Sequence, residues 1–262
     1  MAIRDRFDLV ILDWAGTTVD FGCHAPVIAL REAFALRGVA ISDAQARRDM
    51  GKPKVDHVRA LLRDPAVDKA WSEVCGRAAD DADVQTLMTD LGPLMRDQAA
   101  RAARLIDGAR SAVEALHAEG LKVGSSTGYT REMMAPVLRE AAAQGYVPDH
   151  VVCSGETPAG RPTPLMIYKA CADLGVWPLS RVVKVDDTEV GVAEGRAAGC
   201  FTIGISASGN GVGLSQQALL ALPAADRAAR IAAAEKSLLA AGADVVIDTI
   251  AQLVACLNQH TR

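Results

Sequence analysis

A doubly wound, mostly parallel α/β sheet with a helical insertion after its first strand is the architecture this sequence predicts. Three observations carry the expectation. Short β-branched apolar runs recur along the chain, helical patterns lie between most of them, and one long stretch, residues 22–105, holds helical patterns alone. The runs are continuous rather than alternating, as expected of strands that helices cover on both faces. At 262 residues, 50% of them hydrophobic, the chain is long enough for a core domain and an insertion.

The first run, "DLVIL" at 8–12, delivers Asp13 into the loop "DWAGTTVD". The insertion follows, with "APVIALREAFALRG", "KVDHVRALLRD" and "DADVQTLMTDLGPLMRDQAARAARL" patterned as helices. It reads as a cap over the carboxyl edge of the sheet, giving a core domain of 1–21 and 106–262 and a cap domain of 22–105. "DGARSAVEALHAEG" at 107–120 is a helix, "LKVGSS" at 121–126 the second strand and "HVVCS" at 150–154 the third. In the helix "TPLMIYKACADLGV" at 163–176, Thr163 is expected as N-cap before Pro164, and Gly175 as the stop. The last strands are "RVVKV" at 181–185, "FTIGIS" at 201–206 and "ADVVIDT" at 243–249. Strand–helix alternation of this kind argues a parallel, doubly wound sheet. The Ala-rich run at 217–241 reads as one or two surface helices.

Bulk properties exclude several functions. A net charge of −4 and a pI near 5.8 offer no basic stripe for nucleic acid. No apolar run approaches the length of a membrane span. The six cysteines, with no C-x-x-C pair and no metal-ligand spacing, read as reduced thiols. The charged N-terminus (Arg4, Asp5, Arg6) runs straight into a strand and leaves no room for a signal peptide. A cytoplasmic protein is expected, with no nucleic-acid or membrane partner.

Ligands of doubly wound sheets bind outside the carboxyl ends of the strands. Here those ends carry Asp13, then Ser126-Thr127-Gly128, then the loop "ETPAGRP" with Arg161, then Asp186-Asp187-Thr188. Carboxylates gathered at one edge repel one another unless they share a cation, and hard oxygen ligands beside a phosphate point to Mg²⁺. The Arg161 fork and the Thr127 hydroxyl suit phosphoryl oxygens, and the backbone N–H groups of Gly16-Thr17-Thr18 are further candidate donors. Singly, Asp13 and Asp187 read equally well as turn or helix caps. Together at one edge, they do not.

The motifs "DWAGTT", "SSTGYT", "GRPTP" and "VDDT" stand in the order and spacing of the four motifs of the haloacid dehalogenase superfamily. More narrowly, "DWAGTTVDFG", "MGKPKVDHVRAL", "GSSTGYTREMM", "PAGRPTP" and "EGRAAG" resemble the phosphonoacetaldehyde hydrolase, or phosphonatase, family, over about residues 8 to 215. The resemblance implies a Rossmann-like core with an inserted helical cap, and hydrolysis of the carbon–phosphorus bond of phosphonoacetaldehyde to acetaldehyde and phosphate. It further implies Mg²⁺ held by Asp13, the Ala15 carbonyl and Asp187, and a homodimer.

Ala15 fits that chemistry. In the superfamily's phosphatases the first Asp attacks phosphorus and an acid two positions later protonates the departing alkoxide. A carbon leaving group needs an electron sink instead, and a lysine imine supplies one, so that P–C cleavage releases a neutral enamine. A reactive lysine is therefore expected in the cap, where "MGKPKVDHVRAL" offers Lys52 and Lys54. The resemblance places the Schiff base at Lys54 and sets Met50 beside it. Lys54 and His57 share a helix face, so His57 is a candidate proton relay, though equally a structural histidine. Met50 reads as plain core as readily.

Several readings stay open. A Mg²⁺-dependent phosphatase or phosphomutase is the rival enzyme, and a non-catalytic phospho-ligand-binding protein the rival class. Asp187 best fits the metal-ligand position, while Asp186 is a supporting partner or an acidic cap. Where many members of the superfamily carry a further acid, this chain has Gly191, with Glu189 a weak substitute. Cys23 lies at the cap hinge with no role assigned. Val27, Leu30 and Phe34 serve either a dimer face or the core of the cap.

Overall fold

A computed structural model describes residues 2–260. Its six strands are β1 (Leu9–Leu12), β2 (Lys122–Thr127), β3 (His150–Cys153), β4 (Val182–Asp186), β5 (Phe201–Ile205) and β6 (Val245–Ile247). They form one sheet in the order β3-β2-β1-β4-β5-β6, every neighbouring pair parallel. All six lie within or beside the apolar runs named above. The continuity of those runs has the expected cause. Val10 and Leu12 of β1 face one buried cluster while Leu9 and Ile11 face another, so both sides of the strand are covered. Burial of each such side chain is worth roughly 1.5–3 kcal/mol.

The helices are α1 (Ile3–Arg6), α2 (His24–Ala35), α3 (Asp43–Arg48), α4 (Lys54–Leu62), α5 (Pro65–Cys75), α6 (Asp81–Ala102), α7 (Ala109–Ala118), α8 (Arg131–Ala143), α9 (Leu165–Leu174), α10 (Glu189–Ala198), α11 (Gln216–Ala221), α12 (Ala224–Ala241) and α13 (Leu253–Gln259). Helices α2 to α6 fill the interval between β1 and β2. Among the described residues no strand interrupts them, only single bridges joining Val19 to Ala15 and to Leu105. Asp80 and Asp83 close a capping box that starts α6, and Asp64 caps α5 ahead of Pro65. The apolar face of the insertion (Leu30, Phe34, Trp71, Leu87, Leu91) runs continuously into the cluster on one side of the sheet.

Val27, Leu30 and Phe34 are buried within the chain's own core and offer nothing to a second copy. The Ala-rich run is two helices, α11 and α12, parted at Leu222-Pro223. One cap expectation fails. The α9 helix begins at Leu165 with Pro164 at its cap, and the Thr163 hydroxyl donates back to the Gly160 carbonyl at 2.8 Å, so it is spent on the preceding turn. The stop does fall at Gly175, whose φ of 65° closes the last turn in the left-handed region.

The order of strands places the switch point between β1 and β4. The chain winds outward from β1 through β2 to β3, returns to β4, and winds the other way. The crevice at such a point is where ligands bind in doubly wound sheets.

Candidate active site

Register sets the geometry. Leu12 pairs with Val185 on one side and Ser125 on the other, so the next residues, Asp13, Asp186 and Ser126, emerge side by side. One carboxylate oxygen each from Asp13, Asp186 and Asp187 lies within 4.8 Å of the others, all buried. Arg161, 5% exposed, crosses beneath them. Its Nη2 stands 2.8 Å from Asp13 Oδ1 and 3.2 Å from Asp186 Oδ2, and its Nε stands 3.0 Å from Glu194 Oε2. Lys184, in the middle of β4 and wholly buried, reaches Asp186 at 2.9 Å, Glu194 at 3.4 Å and the Ser126 hydroxyl at 2.9 Å.

Four carboxylates therefore meet two cations, and the charge is shared unevenly. Burial pushes Asp186 up, but Arg161 and Lys184 outweigh it and hold its carboxyl below the usual range. Asp13 is pushed up to about 6, first by burial and then by the Asp186 charge, with Arg161 opposing. Asp187 rises well above the ordinary carboxylate range, through burial and then Asp13 and Asp186. Its partners are neutral, the Asn210 N–H at 2.7 Å and the Thr17 hydroxyl at 3.4 Å. Burial and mutual repulsion thus weigh most on Asp13 and Asp187, and a bound metal ion would relieve them.

Two glycines shape this edge. A Cβ on Gly16, whose φ is +84°, would run into the Asp187 carboxyl. A Cβ on Gly191 would run into the Asp186 carboxyl. The space for a further acid at position 191 is thus already filled by Asp186, which explains the glycine there. Glu189 is exposed at the start of α10 and does not replace that acid. The N–H groups of Gly16, Thr17 and Thr18 are not free for a ligand either. They close the turn onto the carbonyls of Val19 and Trp14 at 2.8–3.1 Å.

The opposite wall comes from the insertion. Lys54 opens α4 directly after Pro53 and is only 3% exposed. Its Nζ stands 4.0 Å from Met50 Sδ and 5.4 Å from the centre of the Tyr129 ring. Burial pulls this amine down to about 8, against the pull of Cys23 and Asp13 and with help from Arg161. Lys52 points elsewhere, onto Asp49 at 2.5 Å. His57, one turn along α4, shares the buried face of Lys54 but does not line the cavity. Its ring is held well below its usual range by burial and by Lys54, so it stays neutral.

Asp13, Thr127 and Arg161 on one side and Cys23, Met50 and Lys54 on the other enclose a cavity with about 20 Å³ of room for water centres, which is space for about one water. Ala15, Tyr129 and Thr188 complete its lining. The Cys23 thiol is kept protonated by burial and by Asp187 and Asp20. Sequence reasoning left out Cys23, Tyr129 and Thr188, and it missed Lys184 and Glu194 altogether. A lysine inside an otherwise apolar strand was the available signal for Lys184, since unpaired lysine is almost never fully buried.

Residues 7–199 match the haloacid dehalogenase-like hydrolase family. The chain is 49% identical over 241 residues to a phosphonoacetaldehyde hydrolase of Syntrophobacter fumaroxidans, covering 92% of this chain and 87% of that protein. It is 44% identical to the enzyme of that name from Paraburkholderia xenovorans, covering 94% and 92%. It also superimposes on the crystal structure of a phosphonoacetaldehyde hydrolase-like protein from Oleispira antarctica with a TM-score of 0.94 and 37% identity, over 99% and 95% of the two chains. With a sheet edge built as described and likeness along nearly its whole length, the chain belongs to the haloacid dehalogenase-like hydrolases and, among them, to the phosphonoacetaldehyde hydrolase family.

Proposed function

We propose that this protein hydrolyses the carbon–phosphorus bond of phosphonoacetaldehyde, giving acetaldehyde and phosphate, by way of an imine on Lys54 and a phosphorylated Asp13. The observation that carries this reading is a buried lysine, its amine held near neutrality, facing a strand-end aspartate across one cavity in which position 15 is alanine.

The neutral Lys54 amine condenses with the aldehyde, releases water and takes up one proton from solvent, leaving an iminium beside the carbon that bears phosphorus; that proton is returned when the iminium is finally hydrolysed. Asp13 attacks phosphorus. The P–C bond breaks, its electron pair moves into the iminium, and a neutral enamine leaves, so position 15 needs no proton donor. The enamine takes a proton and hydrolyses to acetaldehyde, returning Lys54. Water then cleaves the aspartyl phosphate. Arg161 Nη1, which none of its carboxylate contacts uses, and the Thr127 hydroxyl hold the phosphoryl oxygens. Thr127 is supported in this by its place on the cavity wall. Met50 sits against the amine and shields it from water; His57 acts through the fold of α4 rather than on substrate.

Mg²⁺ is the cation we assign to Asp13 and Asp187 with the Ala15 carbonyl, and when bound it would draw phosphoryl oxygens toward Asp13 and offset the charge gathered there. Asp186, already neutralised by Arg161 and Lys184, is left as a supporting group. Residues 22–105 act as a cap, because space for about one water admits no substrate until the insertion withdraws. Six cysteines without a disulfide support a cytoplasmic enzyme. A homodimer, implied by the family likeness, is tested by sedimentation. The function itself is tested by borohydride reduction of the protein with phosphonoacetaldehyde and Mg²⁺. A two-carbon adduct on Lys54, seen by peptide mass spectrometry, is expected. Phosphate release from sugar phosphates, without an adduct or turnover of the phosphonate, would overturn it.

A further inference from the structure

Arg47 belongs to the insertion, at the end of α3, and ties the insertion's first residues to a loop of the core beyond β5. Its Nη1 donates to the carbonyl oxygens of Gly22 at 2.8 Å and Cys23 at 3.3 Å and to Asn210 Oδ1 at 3.1 Å. Its Nη2 donates to the Gly213 carbonyl oxygen at 3.2 Å and lies 3.4 Å from His24 Nδ1. Asn210 answers through Nδ2, which donates to the Arg47 carbonyl oxygen at 3.1 Å. Gly213 has a φ of +64°, and a Cβ there would stand 2.8 Å from Arg47 Nε, so the guanidinium rests on bare backbone. The same Asn210 gives its backbone N–H to Asp187 at 2.7 Å. Among the described residues Asp187 has no ion-pair partner, so that N–H is its shortest hold.

We propose that Arg47 is a positioning residue, a latch whose seating on Asn210 and Gly213 couples closure of the insertion to the orientation of Asp187 for a divalent cation. The proposal rests on the reading of residues 22–105 as a cap. The hydrogen-bond acceptors of Arg47 are carbonyl and amide oxygens, so these contacts are directional and are made only when both segments are in place; the Asp20 carboxylate adds a charge attraction without a hydrogen bond. A planar guanidinium meets several such oxygens at once in fixed directions, which a single ammonium does not. Coupling between sites is reciprocal, so a cation that binds better when Asp187 is oriented must also favour the closed insertion.

Cys23 reports closure directly, being 2% exposed in the cavity, while the exposed Cys75 serves as a control on the same chain. The measurement is the rate of iodoacetamide labelling at each cysteine, with and without Mg²⁺ and inorganic phosphate, on the full chain. Mg²⁺ with phosphate should slow labelling of Cys23 in the wild type. Arg47→Ala should speed it about tenfold, weaken calorimetric Mg²⁺ binding to a similar degree, and remove the protection. Asn210→Ala, which keeps the backbone donor to Asp187, should behave alike, and the double variant should add nothing further. Arg47→Lys should recover little of the loss; if Arg47→Ala does not fold, this variant and Asn210→Ala carry the comparison. Wild-type labelling and Mg²⁺ affinity in the single variants, or simple additivity in the double, would overturn the latch. Borohydride trapping on Lys54, run in parallel, keeps the two ideas apart: an adduct in the wild type with unchanged labelling in the variants sinks the latch alone.

Discussion

The two walls of the cavity manage charge by opposite means. On the sheet edge, Arg161 and Lys184 are fixed among Asp13, Asp186 and Glu194 in a set of buried ion pairs. On the wall from the insertion, Lys54 faces a thioether and an aromatic ring, and burial drives its amine toward the neutral form. An attacking carboxylate and a phosphoryl group need a lattice of fixed charge. An imine-forming amine needs charge suppressed. One cavity can meet both needs of the proposed reaction, since the two walls come from separate stretches of chain, the strand ends and the start of α4.

The largest effect should come from removing the two groups to which the proposed mechanism gives covalent roles. Lys54→Arg keeps a cation but cannot form an imine, and Asp13→Asn removes the carboxylate. Each should lower phosphonate turnover by about 10⁴-fold or more, as loss of a covalent nucleophile does in other enzymes, with the melting temperature little changed. Steady-state release of acetaldehyde measures it. Turnover within tenfold of wild type in Lys54→Arg would show that the amine wall takes no part in the chemistry.

Next comes the lattice. Lys184→Met leaves Asp186 and Glu194 buried with half their positive charge gone. Breaking a buried pair in this way costs about 3–5 kcal/mol, read as a shift in the denaturant midpoint. Lys184→Met combined with Glu194→Leu should cost less than the single change, because no buried acid is then left at Glu194. A single variant as stable as wild type would mean the charges are not balanced as described.

Ala15→Asp carries charge across from one wall to the other. The new carboxylate would face Lys54, favour its charged form, and add to the repulsion around Asp13. Phosphonate turnover should fall about 10- to 100-fold, about 1.4–2.8 kcal/mol at 1.4 per decade. The pH dependence should move with it. In the proposed mechanism Lys54 reacts as the free amine, so wild-type kcat/KM should rise about tenfold per pH unit below about 8 and level off above it. In Ala15→Asp that limb should lie at higher pH, since a nearby negative charge raises the amine's pKa. A limb that does not move would detach the profile from Lys54.

Much of this division of labour could be read from the chain itself. The strands are legible because buried parallel strands need unbroken β-branched runs, and Asp13, Thr127, Arg161 and Asp187 because they follow those runs. Lys54 and Met50 came from the motif around them, and the structure brings both to the cavity. The supporting charges were not legible. Lys184 sits in a strand and Glu194 in a helix as single charged residues, and only the pairing of β1 with β4 brings them under Arg161. Thr163 misled because the Gly160 carbonyl competes for its hydroxyl. Cys23 and Tyr129 come together only through the fold of the insertion over β2.

Glu189 offers the smallest effect and a sharp control. Its carboxylate lies two residues beyond Asp187, near enough in sequence to be mistaken for a member of the lattice, yet it is exposed at the first position of α10. There it meets the positive end of the helix, a contact worth about 0.3–1 kcal/mol at low salt. Glu189→Gln should therefore leave turnover and Mg²⁺ affinity within about twofold of wild type, and lower stability by no more than that helix contribution. Asp187→Asn, two positions earlier, should instead weaken Mg²⁺ binding severely, because it removes the carboxylate whose charge no cation offsets. If Glu189→Gln weakened Mg²⁺ as Asp187→Asn does, the acidic edge would have to extend onto α10, and the boundary between the charged wall and the solvent would have to be redrawn.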